Sequence, residues 1–207
     1  MTKTNTRSRI VSIMLVLVML LTMVPITAVT ALAASGDGSE GNPLMVSTYE
    51  DWKAAMQQSG ETYIKLGADI DTSTMNSGLG LGSSEEVRVQ TDIHLDLNGH
   101  KLTLLKSKLT SGDPSYLILV LKGSLTIKDS RSGGEIVGLH QVTSQRMQLI
   151  DVGKGAKLTL NSGKLSFVVN AESIPSNATI RCAGTVEIND GTVSIAREGV
   201  YQEASPY

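Results

Sequence analysis

Four related phrases recur in the chain: NGHKLTL at Asn98–Leu104, KGSLTI at Lys122–Ile127, KGAKLTL at Lys154–Leu160 and AGTVEI at Ala183–Ile188. Each phrase has a glycine, one or two spacer residues and then an apolar–polar–apolar triplet. The triplets begin 23, 33 and 28 residues apart, at Leu102, Leu125, Leu158 and Val186. Loose repeats of this length are typical of solenoid proteins.

The alternation within each phrase predicts a β-strand with one apolar face. A period of two places the leucines and isoleucines on one side of a strand and the intervening residue on the other. One short strand cannot bury such a face alone, whereas stacked repeats form a continuous apolar column. The inner column predicted in this way contains Leu102, Leu125, Leu158 and Val186. The outer column contains Thr103, Thr126 and Thr159, and the glycine before each triplet suits a bend with positive φ.

Further strand-like runs complete a three-sided repeat. The runs before the glycine are YLILVL at Tyr116–Leu121, QLIDV at Gln148–Val152 and TIRC at Thr179–Cys182. Turn-forming DS, NSG and NDG sequences follow the triplets, and EIV, KLS and TVS come next. A hairpin meander in a β-sandwich would use the same turn residues. The three-sided period favours a parallel β-helix over that alternative.

The runs IHLDLNGHKLTL, GSLTIKDSRSGGEI, GAKLTLNSGKL and GTVEINDGTV resemble those of secreted bacterial β-helix proteins of the pectin lyase-like superfamily. They are similar in particular to large surface proteins of Gram-positive bacteria, from about Thr48 to the C-terminus. The resemblance implies an all-β fold, a right-handed parallel β-helix with an N-terminal capping α-helix. It does not imply one activity, because the superfamily includes lyases, hydrolases, adhesins and proteins without known catalysis.

Residues 1–33 have the pattern of a secretory signal peptide. Three basic residues precede an apolar run at Ile10–Val24, and Ala31-Leu32-Ala33 supplies a small-x-small cleavage pattern. The alternative is a retained membrane helix, but the apolar run has 15 residues and a span needs about 20. We therefore predict cleavage, a secreted or cell-surface location and no membrane span after signal removal.

The composition argues against a nucleic-acid partner. Without residues 1–33 the chain has 15 basic and 20 acidic residues, a formal charge of about −5. It has no basic run and no zinc-type ligand spacing. Cys182 is the one cysteine, so no internal disulfide can form, and its alternation with Ile180 predicts a buried apolar thiol. We predict no cofactor.

The folded domain is predicted to span 47–207, after a flexible linker at 34–46 that is polar and rich in glycine and serine. Ser47-Thr48-Tyr49-Glu50 fits a capping box in which the Ser47 hydroxyl binds a free amide. Apolar residues then follow at helical spacing and predict a helix from about Thr48 to Gln58: Trp52, Ala55 and Met56. Such a helix would cover the open end of the first coil. A partner-binding helix is the alternative.

Two further strand segments and several loops complete the domain. Thr62–Ile70 begins the sheet with Ile64 and Leu66 inward, and Val87–Leu97 resumes the alternation. The predicted loops, where solenoids usually bind ligands, are Asp71–Glu86, Lys106–Ser115, Arg131–Arg146 and Ala171–Asn177. Val193–Tyr207 shows no terminating cap. We expect either truncation of a longer protein or pairing of the last coil with another molecule.

Carboxylates are the first candidates for chemistry. Asp69 and Asp71 flank Ile70, while Asp92 and Asp96 flank alternating residues of the next segment. Stacked coils could bring one of each pair together, which would suit a calcium ion or an acid/base pair. A solvated outer face explains the same residues without a site. We predict no catalytic, cofactor-binding or metal-binding residue.

The motifs that the resemblance would require for catalysis are missing. Hydrolases of this fold use an adjacent aspartate pair, Gly-His-Gly and Arg-Ile-Lys, but here no Asp-Asp occurs and His100 is followed by Lys101. The lyases combine several calcium-binding acids with an arginine base. The arginines of this chain lie outside such motifs: Arg88, Arg131, Arg146, Arg181 and Arg197.

Histidine and aromatic residues point to no site either. His94, His100 and His140 lack the local spacing of zinc ligands, and His100 is expected to be a solvent-exposed turn residue. The preceding Asn98-Gly99 predicts a tight bend whose asparagine bonds local backbone. Exposed aromatic platforms for sugars are few, since Trp52 is expected in the helix–coil contact, Tyr116 at a loop edge and Tyr201 in the tail. The threonine column is expected to be a plain ladder, because Glu187 interrupts it.

We therefore predict an extracellular, non-catalytic β-helix scaffold or adhesin-like segment of a surface protein. Its expected partner is an extracellular polysaccharide or a host or cell-surface glycan. The alternative is a carbohydrate-active enzyme, either a polysaccharide lyase or a glycoside hydrolase, or a carbohydrate-binding module. An enzyme should bring at least three acids and one arginine or lysine together in a groove on one sheet face, whereas scattered acids support the scaffold.

Overall fold

The chain winds three parallel β-sheets into a solenoid. A computed structural model describes residues 35–73, 86–106, 116–140, 146–169 and 177–197, which all belong to one unit at 34–207. The one helix in these ranges is α1 (Tyr49–Met56). The strands are β1 (Leu44–Val46), β2 (Thr62–Leu66), β3 (Ile70–Asp71), β4 (Val87–Val89), β5 (Ile93–Asp96), β6 (Lys101–Lys106), β7 (Tyr116–Val120), β8 (Ser124–Lys128), β9 (Glu135–His140), β10 (Gln148–Val152), β11 (Lys157–Leu160), β12 (Lys164–Val169), β13 (Ala178–Cys182), β14 (Thr185–Ile188) and β15 (Thr192–Arg197).

Successive coils contribute one strand to each sheet. The first sheet has the order β1-β2-β5-β8-β11-β14, the second β4-β7-β10-β13 and the third β3-β6-β9-β12-β15. Each coil from β4 onward runs through the second, first and third sheets in turn, and every pairing of neighbouring strands is parallel. The predicted all-β parallel solenoid with an N-terminal helix is confirmed, and the sandwich alternative is wrong. The handedness of the coil stays a prediction.

The inner column of the first sheet follows the predicted phrases in three of the four cases. Leu125 pairs with Leu158, and Leu158 pairs with Val186, each as the Cα partner on the next coil. Leu125 and Leu158 are fully buried, while Val186 is half-buried against the same core. The period-two alternation therefore directs the first apolar residue of these three triplets toward the core, as the sequence predicts.

The first phrase does not belong to this column, which corrects the prediction for Leu102. Leu102 lies on β6 in the third sheet and pairs with Ile70 and Ile136. The predicted place of Leu102 is taken by Ile93, the partner of Leu125. From β2 onward, Cα partners in the first sheet lie 28 to 33 residues apart, so the 23-residue spacing from Leu102 is too short for one of these coils.

The outer threonine column changes for the same reason. Thr103 pairs with Asp71 and Val137 in the third sheet, so it is not part of the column. Thr126 and Thr159 do pair with each other. The column continues to His94 on the preceding coil and to Glu187 on the following coil. The outer face of the first sheet is therefore chemically mixed and is not a threonine ladder.

Glycine is required at the bend before a phrase for two different reasons. Gly123 has φ +64°, and a Cβ there would lie 2.6 Å from the backbone carbonyl of Thr91. Gly184 would place a Cβ 2.3 Å from the carbonyl oxygen of Ala156 on the previous coil. Positive φ and close backbone approach both exclude a side chain.

The helix is confirmed, but its cap lies one residue later than predicted. Thr48, rather than Ser47, is the N-cap: its Oγ1 accepts from the Asp51 amide at 3.2 Å and donates to the Asp51 carboxylate at 2.8 Å. Asp51 therefore takes the part predicted for Glu50. Trp52, Ala55 and Met56 are buried in the core, as expected.

In the described part of the predicted linker, residues 35–46, the chain already pairs with the fold. Leu44–Val46 is β1, paired with β2, and Val46 is fully buried. Ser35 bridges to Met45, and the Gly38 carbonyl accepts from the Tyr63 amide at 2.8 Å. Backbone hydrogen bonds of this kind need no particular side chain, so they cannot be predicted from a composition rich in glycine and serine.

Two other boundaries differ from the prediction. Val87–Leu97 contains β4 in the second sheet and β5 in the first. The apolar residues fall at odd-numbered positions on both sides of the bend between them, so the alternation does not reveal the bend. The loop predicted at Arg131–Arg146 contains β9. The signal peptide, the end of the chain beyond Arg197 and most of the other predicted loops lie outside the described residues: Asp71–Glu86, Lys106–Ser115 and Ala171–Asn177.

The last described coil is more exposed than the others. Its strands β13, β14 and β15 have a described neighbour on one side only. Ile188 is 51% exposed, and Cys182 is exposed rather than buried. The prediction for Cys182 was wrong because alternation gives the direction of a side chain and says nothing about whether another coil covers it.

Candidate functional site

A shallow cleft lies where the coils turn from the first sheet into the third. We call it the bend cleft; it has a volume of about 390 Å³ and is lined by Asp129, Ser132, Gly133, Gly134, Glu135, Ser162, Gly163 and Lys164. Its lining is mainly glycine and serine, which come from the turn sequences between strands. Its charged groups are Asp129, which follows β8, and Glu135 and Lys164, which begin β9 and β12.

Asp129 shapes the cleft by binding backbone amides. Its Oδ1 accepts from the Gly99 amide on the previous coil at 2.6 Å, and its Oδ2 accepts from the Gly134 amide at 2.7 Å. Its own amide donates to Ser162 Oγ on the following coil at 2.7 Å. One residue thus ties three coils together, and its carboxylate is occupied by the protein itself.

A charged column crosses the third sheet beside the cleft. Glu135 pairs in register with Lys101 on one side and Lys164 on the other. Lys164 Nζ lies 3.1 Å from Glu135 Oε1, and Lys101 Nζ lies 3.7 Å from Oε2. The lysine side chains are 50% and 48% exposed, whereas that of Glu135 is 19% exposed.

The surroundings of Glu135 keep it ionised. Burial raises the pKa of its carboxyl group, but the hydrogen bond from Ser166 and the ammonium groups of Lys164 and Lys101 outweigh burial, so the pKa lies below its usual value. Ser166 Oγ donates to Glu135 Oε1 at 2.5 Å. Beside the cleft, two half-exposed lysines are thus paired with one sheltered glutamate, while the lining of the cleft itself carries Asp129, Glu135 and Lys164.

The four aspartates considered from the sequence each bind a different partner. Asp69 accepts from the Lys101 amide at 2.9 Å, Asp71 from the Ser73 amide at 2.8 Å and Asp92 from the Ser124 hydroxyl at 2.8 Å. Asp96 is buried, so the solvated outer position considered for it is wrong. Its Oδ1 accepts from the amides of two bends, at Asn98 (2.9 Å) and Ser130 (3.0 Å).

Within the described ranges, no group of three or more histidine, cysteine, aspartate or glutamate side chains is arranged to hold a metal ion. The Asn98–Gly99 bend forms as predicted, with φ +52° and +80°. The Asn98 side chain, however, donates to the Leu66 carbonyl on the previous coil at 2.9 Å, rather than to local backbone. It stabilises the stacking of coils rather than its own turn.

The histidines occupy three different environments. His94 stacks on Tyr63, with ring centroids 4.2 Å apart, and its Nε2 lies 3.1 Å from Glu61. His100 lies at the bend with its side chain 30% exposed, and its Nδ1 lies 3.2 Å from Asp69. The Lys101 amide and His100 lower the pKa of Asp69. His140 is buried and stacks on Phe167.

A second charged group lies along the second sheet. Glu86 binds Arg88 Nε, and Tyr116 begins β7 beside them. Burial raises the pKa of Tyr116, and the Glu86 carboxylate raises it further. On the later coils Arg181 Nη1 lies 3.3 Å from Asp151 Oδ2. Among the described residues this face combines two acids, two arginines and a tyrosine, fewer acids than the three expected of an enzyme.

Sequence reasoning missed the charged column of the bend cleft. A signal was present, because Glu135 and Lys164 each open the strand that follows a turn sequence. Lys101 has the same position, but assigning its phrase to the first sheet hid the correspondence. Once Leu102 is paired with Ile136, the register places Lys101, Glu135 and Lys164 at matching positions on neighbouring strands.

The class of protein that the fold defines is the parallel β-solenoid. Comparison of the chain with known protein families, with curated proteins and with solved structures gives no match. No helix in the described part of the chain combines the length and apolar character needed for a membrane span.

Proposed function

We propose that this protein is an extracellular, non-catalytic scaffold or adhesin-like segment of a larger surface protein. In this proposal it belongs with the pectin lyase-like β-helix proteins, residues 1–33 direct its secretion, and its partner is a polysaccharide or a surface glycan. The repeated phrases and the signal-peptide pattern support the family and the location. The three parallel sheets support a scaffold role, because each coil stacks on its neighbours.

The proposal of a non-catalytic role rests on one observation: the buried and half-buried carboxylates bind backbone amides of the protein itself. Asp96 and Asp129 each accept backbone amides from two coils. A carboxylate that accepts several amides has few lone pairs left for a substrate. These acids act in coil stacking, which is what a scaffold requires.

Secretion can be tested with the full chain and its own N-terminus. We expect expression in a Gram-positive secretion host to release a product into the medium whose N-terminus, read by mass spectrometry, is Ala34. A protein that stays in the membrane fraction with residues 1–33 attached would contradict the extracellular proposal.

Catalysis can be tested on the purified full chain. We expect no uronic-acid release from polygalacturonate, with or without calcium, and no new reducing ends from neutral polysaccharides. Clear turnover that tracks the protein through purification would overturn the scaffold and support the second candidate.

The second candidate is a carbohydrate-active enzyme or a carbohydrate-binding module, and the charged group on the second sheet is the one that would serve it. Acids, arginines and a tyrosine share one sheet there, in the pairs Glu86–Arg88 and Asp151–Arg181. If turnover is found, Glu86→Gln and Asp151→Asn should abolish it. Asp92→Asn is the matched control, since the Asp92 carboxylate accepts a serine hydroxyl beside the first sheet rather than pairing with an arginine of the second. Equal effects of all three changes would count against the second sheet as the site.

A further inference from the structure

We propose that two histidine–carboxylate pairs fasten the N-terminal coil, which contains β2 and β3, to the coil that follows it, and make this attachment tighter in acid than at neutral pH. The pairs are His94 with Glu61 and His100 with Asp69. In each pair the carboxylate belongs to the N-terminal coil and the histidine to the next coil, 33 and 31 residues later. We call the junction between these two coils the first seam.

The first seam has fewer strand pairings than the junction that follows it. Among the described residues, β2 pairs with β5 at four positions and β3 with β6 at two. The next junction pairs β4, β5 and β6 with β7, β8 and β9 at three, four and six positions. In the second sheet the described order begins at β4, against which α1 packs. Side-chain pairs therefore provide a larger share of the attachment at the first seam.

His94 contacts both a carboxylate and an aromatic ring of the N-terminal coil. Its Nε2 lies 3.1 Å from Glu61 Oε1. Its ring stacks on Tyr63, with centroids 4.2 Å apart and an angle of 9° between the planes. The stacking fixes the imidazole at the seam, so a charge on His94 is held beside Glu61.

The acids near His94 would attract a positive charge on its ring. Partial desolvation, and after it the carboxylates of Glu61 and Glu40, raise the pKa of Tyr63, so both acids lie close to the stacked rings. Asp92 lies two residues before His94 on the same edge of the first sheet. Protonation of His94 therefore adds a Coulombic attraction between the two coils.

The cations on the neighbouring strands face a different acid. Lys65 on β2 lies 4.0 Å from the buried Asp96, and Lys128 on β8 is the Cα partner of Asp96. The Cα partners of His94 itself are a tyrosine and a threonine. Repulsion from these two lysines is therefore weaker than the attraction to the acids of the N-terminal coil.

His100 forms the second pair, at the bend before β6. Its Nδ1 lies 3.2 Å from Asp69 Oδ1. The Lys101 amide, and after it His100, hold the pKa of Asp69 below its usual value, so Asp69 is ionised where histidine titrates. The other charges at this bend are mixed, because Arg131 packs beside it and Lys101 is paired with Glu135. This second pair is therefore expected to contribute less than the first.

The direction of the pH dependence follows from the two kinds of group. Carboxyl groups ordinarily ionise near pH 4, whereas imidazole takes up its proton near pH 6.5. In mild acid each pair therefore joins a cation to an anion across the seam, and at higher pH only a neutral contact remains. Opening of the coil separates the partners, so the attraction stabilises the attached state alone. The attachment should be tightest near pH 5 and should weaken as the pH rises through about 6 to 7.

The test is hydrogen–deuterium exchange of the full chain at about pH 5 and about pH 7, read by mass spectrometry. The protection of peptides that span β2 and β3 is divided by that of peptides from β11 and β12 in the same sample, which removes the effect of pH on intrinsic exchange. We expect this ratio to be about two- to fivefold higher at the lower pH, as for exposed ion pairs. The interval lies above the range in which Glu135 titrates.

Substitutions separate the two pairs from general surface charge. His94→Gln should remove most of the difference between the two pH values, because glutamine cannot take up a proton. Glu61→Gln should have the same effect, since it removes the anion of the same pair and keeps an oxygen acceptor. His100→Gln should remove a smaller part, and the double histidine variant should show no difference. Lys157→Gln is the matched control, because Lys157 pairs with Glu187 between later coils of the first sheet, at 2.8 Å.

An equal protection ratio at both pH values would overturn the proposal, and so would a higher ratio at neutral pH. A difference that survives in the double histidine variant, or that disappears in Lys157→Gln, would assign the effect to other groups and would also overturn it. Circular dichroism at both pH values shows whether each variant is folded, and Glu61→Gln decides alone if His94→Gln is not. Failure here leaves the scaffold proposal standing, and a protein that is not exported would leave the pH-dependent seam standing.

Discussion

Single residues at the bends tie successive coils to one another. Asp129, Asp96 and Asn98 all reach beyond their own coil to a backbone group of a neighbour. Each bond satisfies an amide or carbonyl at a bend, where no strand partner is available. Buried backbone groups without a partner cost free energy, so these side chains contribute to stability beyond their own turn.

Asp129 gives the sharpest prediction at this scale. We expect Asp129→Ala to lower the free energy of unfolding by about 2–4 kcal/mol, because it leaves the amides of Gly99 and Gly134 without an acceptor. Asp92→Ala is the control, since it removes one bond to an exposed hydroxyl, and should cost less than about 1 kcal/mol. Urea denaturation measures both, and equal losses would contradict the assigned roles.

The pH dependence of stability follows from Glu135. Its pKa is lowered in the folded protein, so its stabilising contribution is complete above the unfolded value of 4.5 and is lost as the pH falls through the lower folded value. We expect the free energy of unfolding to fall less steeply with acid in the Glu135→Gln variant than in the unchanged protein below about pH 4.5. Parallel urea titrations at several pH values test this. Coincident acid profiles would show that Glu135 gains nothing from its lysines.

At the scale of elements, the helix shows how far local sequence patterns reach. Helical spacing located α1 and its buried side chains, because both depend only on nearby residues. The cap was placed one residue early, since Ser47 and Thr48 are both acceptable caps and an acid follows each at the proper distance. Only the observed bond from the Asp51 amide distinguishes them.

The cap assignment can be tested directly. We expect Thr48→Ala to lower the free energy of unfolding by about 1 kcal/mol, as is usual for the loss of an N-cap hydroxyl. Ser47→Ala should change it by less than about 0.5 kcal/mol, because Ser47 lies outside the helix. Thermal and urea unfolding measure both variants. A larger loss with Ser47→Ala would mean that the helix begins one residue earlier.

The strand phrases show what such patterns miss. Alternation predicted strands and inward faces correctly in Leu125 and Leu158, because burial selects those residues. It could not assign NGHKLTL to a sheet, since all three sheets select the same apolar alternation. The charged column at Glu135 was missed for the same reason, because its members are brought together only by register. The sheet to which NGHKLTL belongs is indicated by the number of residues between paired positions, and not by the similarity of the phrases.

For the whole molecule, the central claim is that coils of about 30 residues stack in parallel register. The bend cleft, the lysines around Glu135 and the proposed scaffold role all depend on that register. A change in strand register between adjacent coils would separate Lys101 and Lys164 from Glu135, and the residues that line the cleft would no longer lie together. Stability should likewise come from contacts between neighbouring coils rather than from any single strand.

The most direct test is disulfide trapping in a Cys182→Ser background. Thr126 and Thr159 are Cα partners on adjacent coils, and parallel strands about 4.8 Å apart fall within the reach of a disulfide. We expect the pair Thr126→Cys with Thr159→Cys to cross-link readily under mild oxidation, as read by mass spectrometry. The pair Thr103→Cys with Thr126→Cys, which lie in different sheets, should stay reduced. The reverse pattern would contradict the register on which the fold, the cleft and the proposed role depend.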